Sequence, residues 1–243
     1  MKNKPLRIGL FGASGRLGQA IAELLLIDPR FSLTAALTHS RSFHLGTDIG
    51  ILLHQKPLGL SLTDQLQTKV DLLIDVSLPE GISERLPLAS THKLPLVIGT
   101  TGLSKSDFQL LQQFSSQIPI FYSANFSIGI ALLHKFARAM SRFFPAHVDL
   151  IEKHHSQKKD APSGTALSLA KTVEEASATP VKIHSLRSGQ IMGEHTLLFN
   201  TSEELLTLTH EVHSRKAFAK GALEAALFLK SQKPSLYGMD DLF

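Results

Sequence analysis

The 243-residue sequence contains no cysteine. This absence excludes a disulfide framework, thiolate zinc ligation, iron–sulfur clusters and every enzyme class that depends on a thiol nucleophile. It agrees with a reducing compartment, although secreted proteins without cysteine also exist. A chain of this length buries roughly 70–75% of its unfolded surface, so the fold needs neither a covalent cross-link nor a structural metal.

Long apolar segments and runs of like charge are also missing. The longest apolar runs, such as residues 24–27, fall far short of the roughly 20 residues that cross a bilayer. Gly12, Gly15 and Arg16 interrupt the apolar start, and no small-residue cleavage site follows, so we expect no signal peptide. The dispersed net charge of +4 suits an anionic small molecule as well as nucleic acid. We expect a cytoplasmic protein.

Short apolar runs alternate with helical patterns over residues 1–125. Strands are predicted at residues 6–11, 31–37, 71–76, 96–98 and 118–122, with helices between them. Pro79 and Pro87 predict a kinked helix or two short helices over residues 79–92. Ser104 is a predicted N-cap for a helix to about residue 114. This alternation is typical of an α/β fold with a doubly wound parallel sheet.

The pattern changes after about residue 126. A helix at 127–143, a strand at 148–151, a polar loop at 152–160 and a helix at 163–176 precede strands at 181–186, 195–200 and 205–212. Strands that follow one another without helices predict a mixed sheet in a smaller α+β domain. A last helix at 214–230 is expected to return to the first domain. The predicted domains are therefore 1–126 with 214–243, and 127–213.

A glycine-rich turn follows the first predicted strand. It comprises Gly12, Ala13, Ser14, Gly15, Arg16, Leu17 and Gly18. Missing side chains let a pyrophosphate approach the backbone, where N–H groups at the helix start bind its charge. An ordinary strand-to-helix turn is the alternative interpretation. The flanking strand, amphipathic helix and βαβ pattern favour a dinucleotide.

The end of the second predicted strand bears on which dinucleotide is bound. An acid there binds the ribose hydroxyls of NAD, whereas a nearby cation accepts the 2′-phosphate of NADP. The sequence has Thr38, His39, Ser40 and Arg41, with no acid. This segment favours NADPH, and an ordinary surface turn is an equal alternative.

Residues 152–165, EKHHSQKKDAPSGT, concentrate ionisable side chains before a predicted helix start. Cations before a helix N-terminus favour a bound carboxylate or phosphate, and histidine exchanges protons near neutral pH. A solvated charged loop is the alternative. We predict no metal site, because adjacent histidines at a strand end point apart and cysteine ligands are absent.

Five motifs together resemble the dihydrodipicolinate reductase family. They are GASGRLG (12–18), IGTTG (98–102), SANFSIG (123–129), EKHHSQKKDAPSGTAL (152–167) and SRKAFAKGAL (214–223), in the family's order. The resemblance implies a Rossmann-type domain joined to a substrate and oligomerisation domain. It also implies a homotetramer that uses NADPH or NADH to reduce 4-hydroxy-tetrahydrodipicolinate, a cyclic dicarboxylate, in the diaminopimelate route to lysine. We expect neither nucleic acid nor membrane as a partner.

The resemblance also implies roles for individual residues. His154 would be the catalytic acid/base and Lys158 the proton donor, and His155, Gly164 and Thr165 would contact the substrate. The cofactor would be bound at the pyrophosphate by Gly12, Ala13, Ser14, Gly15, Arg16 and Leu17, at the adenosine ribose by Thr38 and His39, and at the nicotinamide half by Gly99, Thr100, Thr101, Ser123, Ala124, Asn125 and Phe126. Thr38 stands where the family often has an acid, so the resemblance does not choose between NADH and NADPH.

Three other functions fit parts of the sequence. A sugar or inositol dehydrogenase would share Glu152-Lys153 but not the double histidine that follows. Aspartate-semialdehyde dehydrogenase would share the fold class, but it needs a cysteine nucleophile, and this sequence has no cysteine. A redox-sensing regulator would bind the dinucleotide without turnover, but no helix-turn-helix or basic stripe is visible. The remaining side chains are interpreted as scaffold (His134, His184, His195), as candidates for the cleft (His210, His213), and as core or interface (Phe143, Phe144). Arg215, in the last motif, is interpreted as a carboxylate ligand or a helix cap.

Overall fold

The computed structural model describes residues 4–144 and 147–243. The chain divides into two compact units: unit 1 comprises Met1–Phe126 and Phe218–Phe243, and unit 2 comprises Ser127–Ala217. The sequence pattern puts the second boundary at 213/214, whereas residues 214–217 lie in unit 2. The segment just before them is still bonded within that unit, because the Val212 N–H donates to the Gly193 carbonyl oxygen at 2.9 Å.

A seven-stranded sheet forms the centre of unit 1. Its strands are β1 (Leu6–Phe11), β2 (Phe31–Leu37), β3 (Leu62–Thr63), β4 (Leu72–Asp75), β5 (Leu96–Ile98), β6 (Pro119–Tyr122) and the last strand of the chain, β11 (Ser235–Tyr237). All neighbours are parallel, in the order β11-β6-β5-β4-β1-β2-β3. The predicted doubly wound sheet is confirmed. Strand order reverses between β1 and β4, the position where such sheets bind ligands.

The helices of unit 1 are α1 (Arg16–Ile27), α2 (Ile49–Leu52), α3 (Ile82–Thr91), α4 (Lys105–Ser115) and α7 (Lys216–Leu229). A capping box starts α4: Ser104 Oγ accepts from the Asp107 N–H, and the Asp107 carboxylate accepts from the Ser104 N–H. Of the two forms predicted for residues 79–92, a division into two helices at Pro87 does not occur. A 3-10 turn at Pro79–Gly81 precedes α3, which continues through Pro87, with one hydrogen bond fewer because proline has no N–H.

Two apolar cores cover the two faces of this sheet. Alternation along β4 sends Leu72 and Ile74 into one core with α1 and α7, and Leu73 into the other with α3 and α4. Close contact with α7 depends on a glycine, since a Cβ at Gly221 would lie 1.7 Å from the Phe126 carbonyl oxygen. The last helix therefore packs against unit 1 through its small residues.

Unit 2 contains a four-stranded mixed sheet with two helices on one face. The strands are β7 (His147–His154), β8 (Val181–Arg187), β9 (Glu194–Asn200) and β10 (Leu205–Glu211), and the helices are α5 (Ile128–Phe143) and α6 (Gly164–Ser177). The order is β10-β9-β7-β8, with β7 parallel to β8 and antiparallel to β9. Val148, Leu150, Leu197 and Phe199 face the helices. The predicted mixed sheet is confirmed.

The structure corrects one boundary that matters for the site. Glu152 to His154, expected at the start of a polar loop, are the last three residues of β7. They stay in the strand because they pair with Ser185 to Arg187 on β8, while Glu152 and Lys153 also pair with β9. The short elements α2, β3 and β11 were not predicted, since each has too few residues to show a period. No helix in residues 4–144 and 147–243 has the length and apolarity needed to cross a membrane.

Candidate active site

The glycine-rich turn joins the end of β1 to the start of α1. Gly12 has a φ of 79°, and a Cβ there would lie 2.9 Å from the backbone of Ser77. A Cβ at Gly18 would lie 2.0 Å from the Gly12 carbonyl oxygen. Both positions therefore require glycine, because any side chain there would collide with neighbouring backbone.

The start of α1 supplies hydrogen-bond donors at this turn. Gly15 is the N-cap, and the first helical turn begins with Arg16 and Leu17 and holds no acidic residue. Backbone N–H groups in a first turn have no acceptor within the helix. The N–H groups of Gly12 and Ala13, which precede the helix, both donate to the Leu37 carbonyl oxygen at 3.0 Å, and these bonds fix the turn against β2. Free donors and the helix dipole both favour a bound pyrophosphate here.

Polar groups at the ends of β5 and β6 lie at the same edge of the sheet. Thr100 is 1% exposed, and its Oγ1 has no hydrogen-bond partner among the described residues. A Cβ at Gly99 would lie 2.6 Å from the Phe126 ring, and Ser123 Oγ donates to the Asn125 carbonyl oxygen at 2.7 Å. A buried hydroxyl without a partner suits a site that a bound polar group completes, so these residues fit a dinucleotide. Two further predicted residues at this edge are exposed, Thr101 and Ala124.

The end of β2 carries hydroxyls and cations. Thr38 is buried, and its Oγ1 lies 2.8 Å from Ser14 Oγ. The exposed His39 ring accepts the Arg41 backbone N–H at Nδ1, with a distance of 2.9 Å. Because Nδ1 accepts, the proton of the neutral ring is on Nε2, which can donate to an anion. This end of the site thus offers donors and no carboxylate within residues 38–41.

In unit 2, the last residues of β7 alternate between the two faces of the sheet. Glu152 is fully buried and His154 is 8% exposed, on the side of the helices. Lys153 faces the other side and pairs with Glu194 at 2.7 Å. Alternation places Glu152 and His154 next to one another, and a carboxylate oxygen of Glu152 lies 2.5 Å from His154 Nδ1.

Glu152 is held by several donors. Arg187 donates from Nη1 and Nη2 to the two carboxylate oxygens at 2.9 and 2.7 Å, and the Ser163 N–H donates at 3.3 Å. Burial alone would raise the pKa of Glu152, but the bonds to Arg187 and His154 outweigh it and hold the pKa at about 2. The buried carboxylate is therefore ionised at neutral pH.

Two imidazoles meet in this cluster. The ring of His195 packs edge-on against that of His154 with centroids 5.2 Å apart, and its Nε2 lies 3.2 Å from Ser163 Oγ. Burial lowers the pKa of His154, an effect that the charge of Glu152 opposes. Burial also lowers the pKa of His195, to about 4. His195 was interpreted as scaffold from the sequence, yet it lies against the predicted catalytic histidine.

A lysine completes the ionisable cluster. Lys158 donates from Nζ to an Asp160 carboxylate oxygen at 2.8 Å, and its charge contributes to the lowered pKa of His154. His155 is half-buried and directly follows β7. The two histidines thus differ in surroundings, since only His154 joins the buried network of Glu152.

The start of α6 adjoins this cluster. Ser163 is its N-cap and accepts the Ala166 N–H at 3.2 Å. Gly164 and Thr165 form the first turn, and a Cβ at Gly164 would meet nothing within 4 Å. The backbone at this helix start is therefore open to a ligand, and its N–H groups favour an anion.

Four further histidines of unit 2 have side-chain partners outside the hydrogen-bond network of Glu152. Their contacts are His134 with Thr172 at 2.8 Å, His184 with Asp149 at 2.6 Å, His210 with Ser127 at 3.1 Å and His213 with Glu211 at 3.7 Å. Arg215 is exposed. Phe144 packs against the core of unit 2, whereas Phe143 is 86% exposed. Within the described ranges, no group of three acidic or histidine side chains could hold a metal ion.

Two family models match nearly the whole chain. The model of the dihydrodipicolinate reductase N-terminus matches residues 6–126, and that of the C-terminus matches residues 129–243. The chain belongs to the dihydrodipicolinate reductase family. It is an NAD(P)H-dependent oxidoreductase whose N-terminal domain has the Rossmann fold. The predicted family and cofactor class are confirmed.

Relatives of this reductase match over their full length. The 4-hydroxy-tetrahydrodipicolinate reductase of Pseudoalteromonas atlantica is 37% identical over 97% of this chain and 98% of the relative. That of Pseudomonas fluorescens Pf-5 is 36% identical over the same shares. The dipicolinate-bound dihydrodipicolinate reductase from Paenisporosarcina sp. TG-14 superposes with a TM-score of 0.80 at 25% identity, covering 98% of this chain and all of that one.

Arg187 is not among the site residues that the sequence of this reductase predicts. It is 35 residues from Glu152 along the chain, and no local motif links the two. An acid two residues before the predicted catalytic histidine was the available signal, because alternation in a strand puts such a pair on one face. The sequence pattern predicts a loop over residues 152–160, where this alternation does not apply.

Proposed function

We propose that the chain reduces 4-hydroxy-tetrahydrodipicolinate to tetrahydrodipicolinate with NAD(P)H, in the diaminopimelate route to lysine. Its relatives carry the name of that activity. The observation that carries the proposal is the Glu152–His154 pair next to Lys158 and the open start of α6. This arrangement joins a proton-exchanging imidazole and a cation to a site for a carboxylate.

Unit 1 is proposed to be the dinucleotide-binding domain. NAD(P)H supplies a hydride when bound. Residues 12–17 would surround its pyrophosphate, with the N–H groups at the start of α1 as donors. Residues 99–101 and 123–126 would surround the nicotinamide half, where Thr100 Oγ1 has no partner among the described residues. The turn lies close to the neighbouring backbone because Gly12 and Gly18 carry no side chain.

Unit 2 is proposed to bind the substrate and exchange its proton. Loss of water from the hydroxylated ring leaves a conjugated imine, and reduction then adds one hydride and one proton. One carboxylate would accept N–H bonds from Gly164 and Thr165, and His155 would contact the substrate beside it. Lys158 would donate the proton to the electron-rich ring, with His154 restoring that proton.

The activity is tested with the condensation product of pyruvate and aspartate semialdehyde. We expect substrate-dependent loss of reduced-nicotinamide absorbance with at least one of NADH and NADPH. Lys158→Met should slow turnover roughly 10²-fold or more, because it removes the proton donor. Lys159→Met is the matched control, because Lys159 is the exposed neighbour of Lys158 and has no proposed role. Absence of oxidation with both nucleotides would contradict the proposed function.

We propose that NADPH is the preferred cofactor. Thr38 and Ser14 present hydroxyls at the end of β2, and His39 and Arg41 are exposed cations or donors beside them. A 2′-phosphate finds donors here, whereas the ribose diol of NADH lacks a carboxylate acceptor. Dissociation constants from nicotinamide fluorescence should be lower for NADPH, and Thr38→Glu should reverse the order. Equal affinities would contradict the preference.

We propose that the protein is a cytoplasmic homotetramer in which the open sheet faces of unit 2 meet, with the small dicarboxylate as its other partner. Ile151, Leu186 and Leu198 make that face apolar, and Leu186 is 48% exposed. An apolar face of this kind suits a self-complementary contact. Light scattering should give a tetramer for the wild type and smaller species for Leu186→Arg. A monomeric wild type would contradict the assembly.

A further inference from the structure

The carboxylate of Glu152 is arranged as a rigid acceptor. It is fully buried, and Arg187 on the neighbouring strand β8 donates to both of its oxygens. Arg187 also donates to the carbonyl oxygens of Leu186 and Asp160, at 2.8 and 2.6 Å. The guanidinium therefore ties the acid to the strand and to the loop that leads to α6, and a fork of this geometry holds a carboxylate in one orientation.

This fixed carboxylate determines where His154 carries its proton. An ionised carboxylate only accepts hydrogen bonds, so Nδ1 of His154 must be protonated to bond it. The neutral ring then has its lone pair on Nε2. That atom has no hydrogen-bond partner among the described residues, and a Cβ at Gly193 would lie 3.1 Å from it. Nε2 is thus the atom of the ring that is left for proton exchange.

We propose that Glu152, held by Arg187, is a positioning residue that fixes the Nδ1–H tautomer and the orientation of His154 for proton exchange at Nε2. The kinetic consequences of this inference rest on the proposed function, whereas the tautomer of His154 does not depend on it. Bonding of a catalytic histidine by a buried acid keeps both ring and tautomer in the reactive state. Nothing in the family motif of residues 152–167 requires the acid to act through the histidine.

Glu152→Gln is the informative variant because Arg187 would orient its amide. Oε1 faces two fixed donors, Arg187 Nη2 and the Ser163 N–H, so the amide oxygen would take that position. The NH₂ group would then take the Oε2 position, towards His154 Nδ1 and Arg187 Nη1. Nδ1 would then have to accept, and the proton would move to Nε2. We expect kcat to fall by roughly 10²- to 10⁴-fold, the range for losing a correctly protonated acid or base. The dissociation constant of the cofactor should stay within about threefold, since the turn of unit 1 is untouched.

The control is Glu194→Gln. Glu194 pairs with Lys153 on the opposite face of the same sheet, so this variant also loses a carboxylate and an ion pair next to β7 without touching His154. A merely structural role for Glu152 would lower the stability of Glu152→Gln and leave its pH profile like that of Glu194→Gln. Positioning predicts in addition that Glu152→Gln has little further effect in a His154→Gln background, because both act through one imidazole.

The pH profile gives a second, independent readout. Four groups act on His154: Glu152 on its own strand, Arg187 on β8, Lys158 in the following loop and His195 on β9. Glu152 is the acid among them and favours the protonated ring, while the cations oppose it. Removing its charge should therefore move the limb of the kcat profile that reports His154 to lower pH.

The wild-type protein alone also decides the question if Glu152→Gln fails to fold. Nitrogen NMR of ¹⁵N-histidine-labelled protein, with His154 assigned by His154→Gln, should show the Nδ1–H tautomer above its titration. An Nε2–H tautomer, a loss of kcat below about threefold in folded Glu152→Gln, or full additivity with His154→Gln would each overturn the proposal. An inactive wild type with the Nδ1–H tautomer would instead contradict the proposed function.

Discussion

The buried imidazole of His195 makes the stability of unit 2 depend on pH in a defined direction. His195 is 4% exposed, and its Nδ1 has no hydrogen-bond partner in the described part of the chain. The ionisable groups that act on it are His154, Glu152, His210 and Lys158. Burial, together with His154, lowers the pKa of His195 from 6.5 to about 4.

The sign and size of the effect follow from proton linkage. Between pH 6.5 and 4 the unfolded chain holds the His195 proton and the folded chain does not, so the free energy of unfolding falls as the pH falls. The difference between the two pKa values corresponds to about 3 kcal/mol, which is fully present above pH 6.5 and lost near pH 4. Glu152 acts in the same direction at lower pH, because its pKa falls from 4.5 to about 2 on folding.

The test compares wild type with His195→Gln by urea unfolding at several pH values. The stability advantage of the wild type over this variant should shrink by about 3 kcal/mol between pH 7 and 4, since only the wild type has the titrating ring. Val173→Ala is the matched control: it removes buried apolar contacts of α6 in the same unit without touching His195, so it should lower the whole curve by about 2 kcal/mol and keep the slope. Parallel curves for wild type and His195→Gln across this range would refute the reasoning.

Three further predictions concern other parts of the chain. Gly221→Ala should lower the free energy of unfolding by about 1–3 kcal/mol, because a Cβ 1.7 Å from the Phe126 carbonyl oxygen outweighs the gain of about 1 kcal/mol in helix propensity. Gly164→Ala, whose Cβ meets nothing within 4 Å, should change the free energy of unfolding by less than about 1 kcal/mol. Equal urea midpoints for the two variants would contradict this distinction. Ser104→Ala should cost about 1 kcal/mol through loss of the α4 capping box, and unchanged thermal unfolding would count against that cap. Thr165→Val should raise KM for the dicarboxylate roughly tenfold with cofactor affinity unchanged, and an effect on cofactor binding alone would contradict its assignment.

The sequence predicts those parts of the fold whose chemistry is local. The strand, turn and helix around Gly12 and Gly18 are contiguous, so the glycine spacing and its flanking elements together indicate the geometry and favour the ligand class. The mixed sheet of unit 2 is likewise visible in three strands that follow without helices. The family resemblance adds residue roles that no local pattern supplies.

The network around His154 was not predictable in the same way. Glu152 is charged, and charged residues are rarely fully buried unless they are paired, so the polar segment was assigned to a loop. Its partner Arg187 comes from β8, and the neighbouring His195 comes from β9. Only strand pairing brings these three together, and pairing depends on the whole sheet.

The register of β7 has a consequence for insertions and deletions. Its last residues serve two faces in turn: Glu152 and His154 point to the helices, while Lys153 and Ile151 point to the open face. Adding or removing one residue within β7 would exchange the two sets, because side chains alternate with a period of two. The insertion or deletion of one residue would misplace the acid, the imidazole and the apolar open face together. Length changes in this reductase are therefore expected in its loops, and β7 should tolerate substitutions better than any change of length.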